Sequence, residues 1–416
     1  MNAGFQTIQL PFAPLLVFSG RHGRKRDPNA DLKEPVPLAV QRLFNAVPKT
    51  ELHLHLGGST PLPLLRQFMK ENGLSRKEVS KVAKVSDRFV DLDDFLTTYY
   101  KVPAHVKTPD QFYRATRAVV AEAAAENVRV LEVRTSILKK GGAPEAIVAA
   151  VERALKDGLQ AAKVHYGFEM LGSLIILAQR AGTPEDSLES ARLAVELSRK
   201  PGSLIRGFDL AGSEGQHSVD KHAAALRYIQ TYGKPQGLGL TVHAGETPMS
   251  DQLSGVDSIK KALALGADRI GHGIQLMQDP ELLAYSQVAR LPIELCPWSN
   301  VQIQAVKGYG DHPLKEMLSK GLNVSLSTDN RMMSKITLTE QLGQLWAHHQ
   351  VTSWDEIKQL TRNGVNAAFL TPMEKTRALK NVEAAFAAIE QNPLNQRTIA
   401  RYLNNNAPKK RLNQFA

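Results

Sequence analysis

The 416-residue chain carries a single cysteine, Cys296. One thiol excludes an internal disulfide and any multi-cysteine zinc cluster, so nothing in the chain requires an oxidising compartment and the cytoplasm is the expected location. No apolar run approaches the roughly 18 residues of a membrane span, so no membrane partner is expected. The apolar N-terminal segment "FQTIQLPFAPLLVFSG" lacks a basic region ahead of it and contains Pro11 and Pro14, which makes it a poor secretory leader. The net charge of +11 gathers in "RHGRKR" (Arg21 to Arg26) and "PKKR" (Pro408 to Arg411). No aromatic-interleaved strand accompanies either cluster, so both are read as solvated tails and no specific nucleic-acid partner is expected. Also missing are a G-x-G-x-x-G motif opening a helix after a strand and a G-x-x-x-x-G-K-[ST] loop, which removes the usual dinucleotide and nucleotide cradles.

What is present is alternation. Short runs rich in Val, Ile and Leu recur at Leu52 to Leu56, Val128 to Arg134, Val164 to Leu171, Ile205 to Leu210, Leu238 to His243, Arg269 to Ile274, Ile293 to Cys296 and Val324 to Ser327. Between them Thr108-Pro109, Thr183-Pro184 and Asp279-Pro280 pair an N-cap with proline at the first helical position, while Gly158, Gly266 and Gly321 stand where helices should end. Eight strands with intervening helices predict a (β/α)8 TIM barrel, with an open doubly wound sheet as the competitor that the missing glycine fingerprint disfavours. The long stretch between the first two strands needs helices of its own, and Thr60-Pro61 and "DLDDFLTTYY" (Asp91 to Tyr100) predict extra helices beside the barrel mouth. The expected division is an N-terminal extension over 1–46, the barrel over 47–392 and a basic C-terminal tail over 393–416, disordered at its end.

The first strand reads "ELHLHLGG". Side chains two apart on a strand project to the same side about 6.6 Å apart, so His53 and His55 face one way together. The pair alone leaves two readings open, a shared metal or two core histidines bonded to backbone. Further polar groups fall at the C-terminal ends of apolar strands, where barrels of this type build their sites: His243 and Glu246 in "TVHAGE", His272 in "RIGHGI", Asp329 and Asn330 in "STDN". Separate core histidines would each need a buried partner, at a few kcal/mol apiece when unmet, whereas one metal satisfies several at once.

Taken in order, "ELHLHLGG", "DLAG", "TVHAGE", "RIGHGI", "LCPWSN" and "STDN" resemble the adenosine deaminase family of the amidohydrolase superfamily, from about residue 48 to 390. The resemblance implies a (β/α)8 barrel with one zinc ion per chain, held by His53, His55, His243 and Asp329. It implies hydrolytic deamination at C6 of the adenine ring, with adenosine or 2′-deoxyadenosine giving inosine or deoxyinosine plus ammonia. Glu246 would protonate N1, and His272 would orient or deprotonate the attacking water. Gly212 would contact the purine through its backbone, and Phe95, Leu96 and Tyr99 would form an apolar lid. Glu132, Arg134 and Asp209 are expected to brace the barrel wall.

Two positions depart from the family pattern. Asn330 stands where many members carry a second aspartate, and its amide can donate to purine N7 without a proton shift. Gly57 stands where many carry an acidic residue facing the ribose 5′-hydroxyl, which keeps free adenine, or a 5′-substituted adenosine or nucleotide such as N6-methyl-AMP, as alternative substrates. Cytidine-type zinc deaminases need P-C-x-x-C and are excluded by the lone cysteine. Two-metal amidohydrolases often need a lysine in the fourth strand, and "IRGFDLAG" has none. A non-catalytic metal-binding barrel is the alternative from another class. A small purine nucleoside is the expected partner, and the oligomeric state is not legible.

Overall fold

Seven of the eight apolar runs form strands where the sequence places them, and the remaining strand, the third, lies just beyond its expected position. A computed structural model describes residues 32–84, 86, 89–247 and 254–404. The apolar N-terminal segment, both basic clusters and the end of the C-terminal tail lie outside these residues. The strands are β1 (Lys49–His55), β2 (Val128–Thr135), β3 (Leu171–Gln179), β4 (Ile205–Ala211), β5 (Gly239–Ala244), β6 (Arg269–His272), β7 (Ile293–Leu295) and β8 (Val324–Leu326). They pair in parallel in sequence order, β1 through β8. The tip beyond β8 returns to β1 through a parallel bridge between Leu54 and Asp329 and through the Ser327 hydroxyl, which accepts the amides of Leu52 and His53. With helices on the outside, this is a (β/α)8 TIM barrel.

The third strand corrects the expectation. Val164 to Leu171 was read as a strand, but Val164 and Tyr166 end the long helix Pro144–Tyr166, which stops at Gly167 in the left-handed region (φ 71°). The actual strand, "LGSLIILAQ", is a continuous apolar run, as expected of a parallel strand covered on both faces. Gly158 does not end a helix either. It sits inside that same helix, where a Cβ would meet Val120 Cγ1 of helix Pro109–Ala125 at 2.8 Å, so its role is close packing of the two helices.

The expected proline-initiated caps are present. Thr108, Thr183 and Asp279 each accept a backbone N–H from the first turn of the helix that follows. Thr60 does not cap: its hydroxyl donates to Leu56 O, and the next helix, Leu62–Glu71, begins after Pro61. Residues 56–127 hold several further helices, including Leu92–Lys101, capped by Asp91, over the barrel mouth.

At the base of the barrel, helix Leu38–Ala46 buries Val40, Leu43 and Phe44. The Phe369 ring packs so tightly on Gly207 and Gly239 that a Cβ at either would collide with it. The barrel is therefore stoppered at its N-terminal end and opens at its C-terminal end. Residues 393–402, expected to begin a tail, form helix Pro393–Tyr402, capped by Asn392. Among the described residues no helix is long and apolar enough to cross a membrane.

Candidate active site

At the C-terminal end of the strands, β1 delivers His53 and His55, β5 delivers His243, and the turn after β8 delivers Asp329. The bridge at Leu54 fixes that meeting, because Asp329 N–H donates to His53 O and His55 N–H donates to Asp329 O, each at 2.9 Å. The His55 and His243 Nε2 atoms lie 3.1 Å apart, and Asp329 Oδ1 lies 3.3 Å from His55 Nε2 and 3.6 Å from His53 Nε2. His53, His243, His272 and Asp329 each offer a ligand atom within 4.8 Å of the others. Five candidate ligands thus surround one spot.

A cation fits this spot on the evidence of its donors. His53 Nδ1 lies 2.7 Å from Glu294 Oε2, so its proton points to the carboxylate and Nε2 is left as a bare acceptor. That Nε2 is buried and has no partner. His243 Nδ1 likewise faces Asp209 Oδ1 at 3.1 Å, which leaves its Nε2 lone pair directed at His55. A cation at this point would accept the lone pairs of His53 and His243 together, with His55 Nε2 3.1 Å from His243 Nε2. Burial holds the His53 and His55 imidazoles well below the usual histidine range, so they are neutral and available as ligands.

The tautomer of His272 separates it from the others. Burial holds the His312 imidazole down to about 3, so it is neutral, and its Nδ1 accepts Leu314 N–H at 3.1 Å. Its proton is then on Nε2 and faces Asn300 Oδ1 at 3.4 Å. That turns the Asn300 amide group toward His272 Nδ1, at 3.3 Å. With Nδ1 occupied as an acceptor, neutral His272 carries its proton on Nε2, the nitrogen 3.5 Å from Glu246 Oε1. A protonated nitrogen cannot ligate a metal, so this chain of bonds favours His53, His55, His243 and Asp329 as the ligand set and leaves His272 as a donor into the pocket.

Glu246 is fully buried, and its carboxyl is held well above the usual carboxylate range by desolvation first, then by the charges of Asp329 and Glu214. It is therefore a neutral acid that can donate a proton. The same Glu214 fixes its position by accepting Gly245 N–H at 2.9 Å, Glu246 N–H at 2.7 Å and Thr247 N–H at 3.2 Å. His272 and Asp329 both hold non-glycine residues in the left-handed region, at φ 63° and 64°. Such strain, about 1 to 3 kcal/mol each, collects where a side chain must be aimed.

Beneath the site lies a buried ionic lattice. Arg134 bridges Asp209 (2.9 Å) and Glu294 (2.7 Å), and Arg269 bridges Glu294 and Glu132 (both 2.5 Å). The expectation that Glu132, Arg134 and Asp209 brace the wall agrees with these contacts. The sequence reading missed Glu294, Arg269, Glu214, Asn300 and His312. A signal existed for Glu294, a lone charge in a short, otherwise apolar strand, and for Arg269, a charge that opens the strand ending in His272.

The inner pocket encloses about 450 Å³ and is lined by Phe95, Leu96, Tyr99, Gly212 and Asn330 along with Glu246 and His272. The Asn330 amide spends one of its two N–H groups on Asp329 Oδ1, at 2.6 Å. Its oxygen presses on Gly58, where a Cβ would lie 1.8 Å away, so only glycine fits there. Gly57 falls in an adjoining chamber, and a Cβ there would meet Pro103 Cβ at 2.9 Å. The space an acidic side chain would occupy is therefore partly taken by proline.

The comparisons with known proteins agree with this geometry. The profile described as adenosine deaminase matches residues 48–385. An adenosine deaminase of Enterococcus faecalis is 31% identical over 347 residues, covering 82% of this chain and 97% of its own. One from Clostridium kluyveri is 29% identical over 364 residues, covering 85% and 99%. Among solved structures, adenine deaminase from Arthrobacter aurescens is similar with a TM-score of 0.70 at 27% identity, covering 82% of this chain and 99% of that one. The N6-methyl-AMP deaminase of Arabidopsis thaliana shares the fold, with a TM-score of 0.70 at 22% identity over 84% and 99% of the two chains.

Proposed function

The chain belongs to the adenosine deaminase family and is a hydrolytic aminohydrolase, and on that footing we propose that it converts adenosine and 2′-deoxyadenosine to inosine and deoxyinosine, releasing ammonia. One observation carries the reading: a neutral buried acid, Glu246, stands 3.5 Å from the proton-bearing nitrogen of His272, beside the imidazoles of His53, His55 and His243 and the Asp329 carboxylate. Zinc is the ion proposed for His53, His55, His243 and Asp329, where it would lower the pKa of a water from 15.7 toward about 7.

The chain's own residues supply the rest. Glu246 holds the proton for purine N1, and N1 protonation draws electron density away from C6 as the nucleophile adds there. His272, protonated on Nε2, orients the incoming water oxygen by donating to it, which is the orienting role of the two the sequence left open. Phe95, Leu96 and Tyr99 cover the base and exclude water, and Gly212 lets the backbone approach it. The single buried thiol, Cys296, supports a cytoplasmic setting.

The test is an ultraviolet assay for conversion of adenosine to inosine, paired with Glu246→Gln. The wild type should convert adenosine, and the variant should lose at least about a hundredfold in kcat while keeping its metal. Absence of conversion with adenosine, adenine and adenosine 5′-monophosphate alike would overturn the reading.

A further inference from the structure

The inner pocket is not the end of the cavity. Past His55, Tyr99, Leu177 and Gln179, which line both spaces, an outer chamber of about 470 Å³ opens toward Gly57, Pro103, Ser136 and Lys140. Glu246 and His272 line only the inner pocket, so a purine whose C6 edge faces them has room to extend its sugar toward this outer space. None of the residues lining the outer chamber is acidic.

Lys140 gives the chamber its character. It is half-buried, and among the described residues no carboxylate pairs with it. Its ammonium is held below the usual lysine range by desolvation and then by the like charge of Lys107. The two lysines are brought together by the chain path, since Gly141 N–H donates to Lys107 O at 3.1 Å. A cation withdrawn from water with a like charge nearby is costly, and a bound anion relieves both terms. Gln179 and Ser136 line the same space with side chains that donate to no described protein atom, which leaves an amide and a hydroxyl available. Gly57 completes the setting: the acidic side chain that would repel an anion is absent, and Pro103 keeps it out.

We propose that this outer chamber seats an anionic group on the 5′ carbon of the sugar, held by Lys140 with Ser136 and Gln179, so that an adenine nucleoside 5′-monophosphate is preferred over the bare nucleoside. The proposal rests on the aminohydrolase reading for its orientation of the base. It adds the chemical class of the substrate's far end.

Binding of the product tests it without turnover. Calorimetry on the full-length protein should show inosine 5′-monophosphate binding at least about tenfold more tightly than inosine, with the advantage shrinking as salt rises. Lys140→Ala should bring the ratio close to one, and Lys140→Arg should keep most of it, with thermal melting confirming that both variants fold. In turnover, kcat/KM should favour adenosine 5′-monophosphate over adenosine by a similar factor. Equal binding of the two products by the wild type would overturn the proposal. So would a ratio unmoved by Lys140→Ala, or inorganic phosphate accelerating adenosine turnover while the monophosphate stays the poorer substrate, which would assign the chamber to free phosphate. Preference for the monophosphate product with no ammonia released from any adenine compound would instead sink the deaminase reading and leave the anion site standing.

Discussion

Glu214→Gln separates positioning from chemistry. The native carboxylate accepts three successive amides, from Gly245, Glu246 and Thr247, at 2.7 to 3.2 Å. Hydrogen bonds to a charged acceptor contribute about 1.5 to 3 kcal/mol each. Glutamine presents one oxygen and turns an NH2 toward the remaining donors, so at least one bond is lost and one buried N–H is left unmet. The strand-end turn that aims Glu246 then loosens, and a displacement of about 1 Å at a reacting group costs roughly a hundredfold. A drop of ten- to a hundredfold in kcat is expected. KM should change little, since Glu214 does not line the pocket.

The second readout is the pH profile. Glu246 titrates above the usual range partly because Glu214 is negative. Removing that charge lowers the Glu246 pKa, so the acid loses its proton sooner and the descending, high-pH limb of the rate profile moves to lower pH. Ammonia release measured from about pH 5 to 9 reports both effects. A high-pH limb that stays in place together with a kcat within twofold of wild type would refute the reasoning.

Other perturbations follow from the same geometry. Asn300→Leu removes the amide that fixes the His272 tautomer and should lower kcat about tenfold with bound metal unchanged, as read by steady-state rates beside elemental analysis. Gly58→Ala places a methyl 1.8 Å from Asn330 Oδ1, and because Asn330 is bonded to Asp329, metal affinity should fall about tenfold or more in a competition titration with a chelator. Glu51 is buried with its carboxyl raised to about 7, so the folded state holds a proton that the unfolded chain releases near 4.5. Its stability contribution is therefore full below the unfolded value and is lost as pH rises through about 7, by about 3 kcal/mol in all. Glu51→Gln should flatten the fall of Tm between about pH 4.5 and 7, and an unchanged slope there would count against this assignment.

Much of the scaffold was legible because parallel strands and capped helices write strong local patterns. Thr108-Pro109 and Thr183-Pro184 start helices through bonds within one turn, and a turn is visible in sequence. The third strand was misread because Val164 to Leu171 adjoins the apolar run Leu171 to Gln179, and only the left-handed Gly167 within the first marks where the helix ends. Gly158 misled for a related reason: a glycine that lets Val120 approach looks the same in sequence as one that ends a helix.

At the site, the histidines and Asp329 stood out because polar residues at the tips of apolar strands have few bland explanations. Glu214, Asn300 and His312 did not, because they act on Glu246 and His272 across loops from different parts of the chain. The outer chamber is of the same kind. Gly57 announced that something was missing, but Lys140 acquires meaning only once Leu177 and Gln179 of β3 are seen to wall both spaces.

The central claim is that His53, His55, His243 and Asp329 together hold one divalent cation. Elemental analysis of the purified protein measures it directly, with a Asp329→Ala variant alongside. The account predicts close to one equivalent of zinc per chain, with the variant nearly empty though folded. A metal-free wild type that deaminates at full rate, or a Asp329→Ala variant that keeps its equivalent, would contradict it.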